Sequence, residues 1–241
     1  MPALFISDLH LSETRPGANE AFFSFVEGKA RSAEALYILG DLFEYWVGDD
    51  DVAEPFNAVI VGFLRRLSQS GVKLGVMQGN RDFLFGPRFR EETGAELLAD
   101  PLVVELGGTA TLLMHGDTLC TKDLDYQELR RVVRSEPWQR EFRARPLAER
   151  HAIALDTREK SSLAVGAKAM EIMDVDDAAV REALRHHGVT RLIHGHTHRP
   201  GCHELEVDGR RCERWVLPDW YGAGGYLEVS GARPRLVRFS A

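Results

Sequence analysis

Aspartate, histidine and asparagine side chains recur in this chain in five short motifs, each at the end of an apolar run. The motifs are Asp8-Leu9-His10, Gly40-Asp41, Gly79-Asn80-Arg81-Asp82, His115-Gly116-Asp117 and His194-Gly195-His196-Thr197-His198. Residues two positions apart in an extended segment point to the same side, so the outer members of Asp8-Leu9-His10 can reach one cation. The same holds for His196 and His198. Together the motifs offer more oxygen and imidazole ligands than one cation needs, which indicates a dinuclear metal site.

Seven of these side chains form the predicted ligand set: Asp8, His10, Asp41, Asn80, His115, His196 and His198. The carboxylate of Asp41 has two oxygens and can bridge two ions, whereas the amide oxygen of Asn80 is a neutral ligand that does not repel a phosphate. Each motif alone has a plain structural interpretation as a turn, a helix cap or a core histidine. Their shared placement after apolar runs favours the metal site. His194 lies within an apolar strand end, and we expect it to have a structural role or to orient a ligand.

The ligand types predict the chemistry. Aspartate, histidine and asparagine without a thiolate suit Mn²⁺ or a similar divalent ion better than a closed zinc site. Two such ions about 3.5 to 4 Å apart would hold phosphoryl oxygens and lower the pKa of a bound water. We therefore expect hydrolysis of a phosphoester or a pyrophosphate.

The elements that must position these motifs alternate between strand-like and helical patterns, which predicts an α/β fold. Predicted strands precede the five motifs at residues 3–7, 35–39, 74–78, 111–114 and 190–193, and helical stretches cover 18–30, 54–70 and 83–93. Four further β-runs, at 203–207, 211–217, 226–229 and 235–239, predict an antiparallel meander that closes a second sheet. Between them the pattern becomes helical, so we predict a core of residues 1–119 and 176–241 with an inserted helical cap at 120–175.

Length and composition favour one soluble catalytic domain. The 241 residues contain no apolar run near the roughly 20 residues of a membrane-spanning helix, and the N-terminus lacks a secretion signal. The three cysteines contain no C-x-x-C pair, which suits a reducing cytosol. The hairpin turn at Asp208-Gly209 predicts that Leu205 faces Cys212 and that Cys202 lies near Trp215, so these two cysteines should not be bridged.

The charge pattern bears on partners. A net charge of −7 argues against nucleic acid as a partner, because phosphate neutralisation needs a basic face. Between residues 130 and 150, however, seven arginines stand against three acids, with Trp138 and Phe142 among them. Such a segment could meet an anionic membrane surface or an anionic ligand. A solvated helical face is an equally good interpretation of this segment alone.

The order of the five motifs resembles the calcineurin-like metallophosphoesterases, whose pattern runs D-x-H, G-D, G-N-H-[DE], a further histidine and G-H-x-H. This resemblance implies a sandwich of two mixed sheets flanked by helices (αββα). One departure is informative, since Arg81 stands where most of the superfamily has a histidine that protonates an alcohol leaving group. An arginine cannot donate that proton but can grip phosphate oxygens, so the leaving group should be one that departs as an anion, as in a pyrophosphate.

Longer matches resemble one family within this superfamily, the UDP-2,3-diacylglucosamine hydrolases of bacterial lipid A biosynthesis. They cover residues 5–11, 79–84, 114–121, 167–175 and 192–200. The resemblance implies that water attacks the α-phosphorus of UDP-2,3-diacylglucosamine and gives UMP and 2,3-diacylglucosamine 1-phosphate, with two Mn²⁺ ions. Asp8, His10 and His198 would hold the first ion and Asp41 would bridge. Asn80, His115 and His196 would hold the second ion.

The same resemblance implies the substrate contacts. They would be Asn80, Arg81, Asp123, Ser161, Val165, Lys168 and His196, of which Asn80, Arg81 and His196 would be catalytic. Val165 stands where the family has a polar residue, and Pro218 replaces an expected glycine.

The cap pattern suits a lipid substrate. Apolar side chains could form an acyl groove while the arginines face lipid head groups; those side chains are Trp138, Phe142, Leu147, Ile153, Leu155 and Leu163. We expect a monomer without a nucleic-acid partner, peripheral on the cytoplasmic face of the bacterial inner membrane. The alternatives are a broader nucleotide pyrophosphatase or phosphodiesterase of the same superfamily, and a non-enzymatic metal-binding scaffold.

Overall fold

The computed structural model describes residues 1–167 and 174–240, which form two stacked sheets with helices on their outer faces. The first sheet has six strands in the order β11-β10-β1-β2-β3-β4. They are β1 (Ala3–Ile6), β2 (Ala35–Leu39), β3 (Lys73–Met77), β4 (Glu96–Leu98), β10 (Ala223–Ser230) and β11 (Arg233–Ser240). Strands β1 to β4 run parallel, and β10 joins β1 in antiparallel fashion.

The second sheet has five strands in the order β5-β6-β7-β9-β8. They are β5 (Leu102–Leu106), β6 (Thr109–Met114), β7 (Arg191–His194), β8 (Gly201–Val207) and β9 (Arg210–Val216). Strands β6, β7 and β9 are parallel, whereas β5 and β8 are antiparallel edge strands. Both sheets are therefore mixed, which confirms the predicted αββα sandwich.

Three apolar layers hold the sandwich together. Phe5, Leu39 and Ile193 belong to the layer between the sheets and are fully buried. A second layer packs the outer face of the first sheet against α1 (Pro16–Glu27) and α2 (Pro55–Gln69), and a third packs the second sheet against α7 (Asp177–His187). Burial on both faces explains why the central strands read as continuous apolar runs rather than alternating ones.

The remaining helices are α3 (Pro87–Thr93), α4 (Leu124–Val133), α5 (Glu136–Arg143) and α6 (Leu147–Ala167). Helices α1, α2, α3 and α5 all have proline in the first turn, where its missing N–H leaves no donor unpaired. The last three helices, α4 to α6, occupy the region predicted as the cap, and we call them the cap helices. The domain boundaries at 120 and 175 stay a prediction. No helix in the described ranges is long and apolar enough to span a bilayer.

Two sequence predictions need correction. The C-terminal β-runs do not form one meander, because the β8–β9 hairpin completes the second sheet while β10 and β11 join the first sheet beside β1. Alternating apolar residues mark a strand but do not name its partner. The third helix begins at Pro87 rather than at residue 83, and strands β4 and β5 were not predicted. The hairpin register is confirmed, since Leu205 pairs with Cys212 and Cys202 with Trp215. No disulfide joins any two of the three cysteines, all of which lie in the described ranges.

Candidate metal centre and adjoining cavity

The five predicted motifs lie at the carboxyl ends of β1, β2, β3, β6 and β7, which belong to both sheets. Within residues 1–167 and 174–240, six non-glycine residues have positive φ, and five of them are predicted ligands: Asp8 (56°), His10 (50°), Asp41 (55°), His196 (67°) and His198 (53°). Left-handed backbone at such residues costs on the order of 1–3 kcal/mol each and persists only where the surroundings impose it. The strain is therefore concentrated at the predicted site.

Two motif glycines permit the close approach of these loops. A Cβ on Gly79 would lie 2.1 Å from Asp41 Oδ1, and a Cβ on Gly195 would lie 2.3 Å from Asp8 Oδ2. No side chain fits at either distance, because real Cβ contacts below 3.0 Å essentially never occur, and both neighbours are predicted ligands. The glycines thus let the loops after β2 and β3, and those after β1 and β7, approach each other closely.

The first cluster contains Asp8, His10 and His198, whose ligand atoms all lie within 4.8 Å of one another. Asp8 Oδ2 accepts hydrogen bonds from Ser7 Oγ at 2.6 Å and from the His196 backbone N–H at 2.8 Å. Asp8 Oδ1 is buried and has no hydrogen-bond partner in the described part of the chain, although His198 Nε2 lies 3.4 Å away. Both ring nitrogens of His10 are also buried and have no hydrogen-bond partner among the described residues. Such orphaned atoms are costly unless a cation satisfies them, so these residues fit a divalent ion.

The second cluster contains Asn80, His115 and His196. Asn80 Oδ1 lies 2.9 Å from His115 Nε2 and 3.0 Å from His196 Nδ1. The side-chain amide of Asn80 has two possible orientations. With its nitrogen turned to the rings, it would donate to both imidazoles. With its oxygen turned to the rings, that oxygen and the two ring nitrogens direct three lone pairs to one point, as a cation requires. His115 Nδ1 lies 2.8 Å from the Leu39 carbonyl and donates to it, which leaves Nε2 free as a ligand atom.

Asp41 lies between the two clusters. Its carboxylate oxygens are 3.8 Å from His10 Nε2 and 3.9 Å from His115 Nε2, and it groups with Asp8 and His115 within 4.8 Å. This is the place that a bridging carboxylate would occupy. The structure therefore brings all seven predicted ligands together, and their assignment to two ions stays a prediction.

The electrostatics separate histidines of lowered pKa, which are neutral at pH 7, from histidines of raised pKa, of which His115 holds a proton at pH 7. Burial lowers the pKa of His10 to about 3, and burial together with the charge of His115 lowers the pKa of His196 to about 4. For His115 burial acts in the same downward direction, but the charges of Asp41, Asp117 and Asp8 outweigh it and raise its pKa to about 9. Burial raises the pKa of Asp41 well above its usual value. A metal ion must therefore displace a proton from this centre.

Asp82 is a functional residue that sequence reasoning left without a role. Its buried carboxylate accepts backbone N–H groups of Gly79 (2.9 Å), Asp41 (3.2 Å), Leu42 (2.7 Å) and Phe43 (3.3 Å). One side chain thus ties the loop after β3 to the loop after β2. The signal that could have found Asp82 was its place in the Gly79-Asn80-Arg81-Asp82 motif.

Asp117 is a second such residue, and it links the centre to the cap helices. Its Oδ2 accepts from Tyr126 Oη at 2.6 Å and from Arg130 Nε at 2.7 Å, both on α4. Burial would raise the pKa of Asp117, but His115, His196 and Arg130 hold it well below its usual value. The Tyr126 ring lies 5.8 Å from the His196 ring, so α4 reaches the second cluster.

A cavity of about 390 Å³ opens beside the metal centre, between the cap helices and the core. Asn80, Arg81 and Ser161 contribute polar groups to its wall, and most of the remaining wall is apolar. Arg81 donates its backbone N–H to Asp41 Oδ1 at 2.9 Å, and its Nε lies 3.9 Å from Asp41 Oδ2. The guanidinium therefore lies between the cavity and the bridging position.

Only some of the predicted acyl-groove residues line this cavity. Trp138, Phe142 and Ile153 line the cavity, whereas Leu147 packs against the core below the first sheet. Leu155 is 54% exposed and is not among the residues that line this cavity. The side chain of Leu163 lies outside the described part of the structure.

Among the other predicted substrate contacts, Asp123 caps α4, where its Oδ1 accepts the Tyr126 N–H at 3.2 Å. The side chain of Val165 and the whole of Lys168 lie outside the described residues. Pro218 is buried, and its Cγ lies only 2.7 Å from the point where a Cβ of Gly225 would be.

Three of the seven arginines between 130 and 150 point inward. Arg130 pairs with Asp117, and Arg134 donates to Gln78 Oε1 at 3.1 Å and to the Gly79 carbonyl at 2.7 Å. Arg150 is 2% exposed and donates to the Val47 carbonyl at 2.6 Å. The expectation that the arginines face lipid head groups is wrong for these three, which instead fasten the cap helices to the core.

In comparisons with known proteins, one family model and full-length relatives of one name match this chain. A model of the calcineurin-like phosphoesterases matches residues 1–200. A UDP-2,3-diacylglucosamine hydrolase of Aromatoleum aromaticum is 50% identical over 242 residues, covering 100% of this chain and 98% of that protein. One of Pseudomonas putida is 49% identical over 236 residues, covering 98% of each. Among solved structures, a novel archaeal phosphodiesterase covers 99% of this chain and 100% of its own at 13% identity, with a TM-score of 0.48.

The structural likeness is too remote to carry an argument, but the family model and the full-length sequence relatives agree. Membership of a metallophosphoesterase family implies a divalent metal, and the orphaned ligand atoms of Asp8 and His10 fit one. This chain belongs to the calcineurin-like phosphoesterases and, within them, to the family of the UDP-2,3-diacylglucosamine hydrolases.

Proposed function

We propose that this protein hydrolyses the pyrophosphate bond of UDP-2,3-diacylglucosamine, a step of lipid A biosynthesis, with two Mn²⁺ ions per chain. The products are UMP and 2,3-diacylglucosamine 1-phosphate. The observation that carries the proposal is one juxtaposition: seven metal-ligand side chains meet at the end of a largely apolar cavity, and Arg81 stands where the two join. The names of the full-length relatives support the same substrate.

The chain would divide its ligands between the two ions. Asp8, His10 and His198 would hold the first, Asn80, His115 and His196 would hold the second, and Asp41 would be shared by both. Bound ions would supply a water of low pKa and a positive field over the phosphoryl oxygens. His10 and His196 are neutral at pH 7 because burial lowers their pKa values, so their lone pairs are available without loss of a proton.

Arg81 grips the phosphoryl group from the cavity side. Its side chain is 18% exposed, and it remains charged throughout the reaction. As the P–O bond to water forms, the P–O bond to the bridging oxygen breaks and its electrons pass to the sugar phosphate. That leaving group has a second pKa of about 6 and departs without protonation. Asn80 and His196 lie beside the same phosphoryl position and would orient it.

The cavity would receive the acyl chains. Trp138, Phe142 and Ile153 offer apolar walls, while Ser161 offers a hydroxyl for the sugar or its amides. Asp123, Val165 and Lys168 would complete the contacts to the sugar phosphate. We propose that the protein works as a monomer at the cytoplasmic face of the inner membrane. Contact with a membrane is supported by two exposed apolar side chains of α4, Leu124 (75%) and Leu129 (48%), of which Leu129 also lines the cavity.

The test is a product assay in H₂¹⁸O with UDP-2,3-diacylglucosamine and Mn²⁺. We expect UMP and the diacyl sugar phosphate, with ¹⁸O only in UMP, since water attacks the α-phosphorus. Label in the sugar phosphate would contradict the direction of attack. Equal turnover of UDP-glucose or bis(p-nitrophenyl) phosphate would favour the broader pyrophosphatase or phosphodiesterase. No turnover of any of the three by Mn²⁺-loaded protein would favour the scaffold.

A further inference from the structure

Arg15 lies between β1 and α1 and holds the loop that follows β1. Its Nη1 donates to the carbonyls of Leu9 and His10, both at 2.9 Å, and its Nη2 donates to the carbonyl of Trp220 at 2.8 Å. Trp220 lies in the connection between the two sheets, 205 residues away in sequence. One guanidinium therefore joins two loops at the edge of the metal centre, and we call these three hydrogen bonds the Arg15 clamp.

The hydrogen bonds of this loop divide into two sets. Its N–H groups donate to the neighbouring loop after β2, from Leu9 and His10 to the Asp41 carbonyl at 2.9 and 3.0 Å. The carbonyls of Leu9 and His10, in residues that are at most 1% exposed, accept from Arg15. Because buried backbone carbonyls need partners, the guanidinium completes the hydrogen bonding of a segment whose Asp8 and His10 have left-handed φ.

Arg15 also supports an aromatic ring that contacts two predicted ligands. Its guanidinium carbon lies 4.1 Å from the centroid of the Tyr221 ring, a cation–π distance. The Tyr221 ring centroid is 5.3 Å from that of His10 and 5.4 Å from that of His198. The same arginine thus acts on His10 through its backbone and on both imidazoles through Tyr221.

We propose that Arg15 is a positioning residue for the first metal site, formed by Asp8, His10 and His198, and that it acts without touching the substrate. This inference rests on the proposed two-metal function. The second cluster is held by other groups, because the Leu39 carbonyl orients His115 and Asp82 fixes the loop that carries Asn80. Loss of Arg15 should therefore weaken one site and spare the other.

The experiment compares the parent protein with Arg15→Met, Arg15→Lys, Tyr221→Leu and the matched control Arg31→Met, in which an exposed arginine is replaced. Calorimetric titration of metal-free protein with Mn²⁺ measures each site. Hydrogen–deuterium exchange of the metal-free protein measures the loops without metal or activity. The two readouts keep the clamp and the proposed function separable.

We expect Arg15→Met to keep one site at parent affinity and to weaken the other about 10- to 100-fold, as is typical when a group that orients a ligand is lost. Amides of residues 9–11 should exchange faster, while those of residues 79–82 stay at the parent rate. Arg15→Lys, which keeps the charge but not the planar fork, and Tyr221→Leu, at a half-exposed ring, should give smaller changes of the same sign.

Parent-like exchange and binding in Arg15→Met would overturn the clamp, as would equal weakening of both sites. If Arg15→Met does not fold, Tyr221→Leu and Arg15→Lys decide, and parent-like behaviour of both would overturn the clamp. A parent protein that binds fewer than two ions would contradict the proposed two-metal function, while the exchange rates would still decide the role of Arg15.

Discussion

At the scale of single residues, Asp82 shows how one carboxylate can organise a site that it does not join. It accepts four buried backbone N–H groups from two loops. We predict that Asp82→Ala lowers the free energy of unfolding by at least about 3 kcal/mol, because an unpaired buried donor costs roughly 1–3 kcal/mol. Urea unfolding in EDTA measures it. Asp156→Asn, at an exposed helix pair with Lys160, should change nothing measurable.

A loss in Asp82→Ala no larger than in Asp156→Asn would show that water replaces the carboxylate. In that case the two loops would not depend on Asp82.

His115 determines how the stability of the metal-free protein depends on pH. Its pKa is raised from 6.5 to about 9, so the stability it contributes is complete below pH 6.5 and is lost as the pH rises through about 9. His198, whose pKa is also raised, acts in the same direction. The lowered pKa values of His10 and His196 act below this window.

We therefore predict that the free energy of unfolding in EDTA falls between pH 6.5 and 9, and that saturating Mn²⁺ reverses the trend because metal binds the neutral ligands. Unfolding curves at three pH values with and without Mn²⁺ measure both trends. His115→Gln should flatten the metal-free curve. A metal-free protein that gains stability over this range would contradict the assignment.

The sequence revealed the ligands but not the residues that hold them. Each ligand follows an apolar run within a motif of two to five residues, so local spacing was sufficient to find it. The motif that ends in Asp82 pointed to this residue, but its partners after β2 lie 39 to 41 residues away, and Arg15 reaches Trp220 across 205 residues. Local spacing does not show these long-range contacts.

At the scale of elements, strands were easier to predict than their partners. The five strands before the motifs were found because burial on both faces leaves an unbroken apolar run. The destination of β10 was missed, because its pairing with β1 depends on the chain crossing between the sheets after Leu217. That crossing also brings Trp220 and Tyr221 to the metal centre. The wrong partner predicted for β10 and the missed role of Arg15 therefore have the same cause.

The attachment of the cap helices to the core depends on Arg150 of α6. It donates to the Val47 carbonyl at 2.6 Å and to Asp50 Oδ1 at 2.9 Å. We predict that Arg150→Met lowers kcat/KM for the diacyl substrate by about tenfold to a hundredfold, since a shift of about 1 Å in the cavity wall misplaces the substrate. Steady-state kinetics measures this loss, and Mn²⁺ affinity by calorimetry should stay unchanged.

The matched control for Arg150→Met is Arg143→Met, because Arg143 is exposed and bonds only to Gln139 within α5 among the described residues. It should retain parent kinetics. An equal loss in both variants, or weakened metal binding in Arg150→Met, would remove the anchoring role.

At the scale of the whole molecule, the proposed function requires a negatively charged protein to approach an anionic membrane surface. The net charge of −7 opposes this, so attraction has to come from a local basic face. Of the seven arginines in the segment 130–150, three point inward, and Arg131 and Arg145 pair with glutamates. Arg140 and Arg143 remain exposed and form no ion pair with any described residue. The basic face is therefore smaller than the sequence indicated.

Arg140 and Arg143 should still carry most of the membrane attraction. Each basic residue near an anionic surface contributes about 1 kcal/mol, so replacing both with glutamine should weaken sedimentation with anionic liposomes about 30-fold. The control is the pair Arg210→Gln and Arg211→Gln, which changes the net charge equally. These two arginines are at the start of β9, whereas the metal centre lies at the carboxyl ends of β6 and β7, which run parallel to β9. Salt near 1 M, where the Debye length is about 3 Å, should abolish the difference. Equal weakening by the control pair would mean that overall charge governs binding, and parent-like binding by both pairs would return the segment to a solvated helical face.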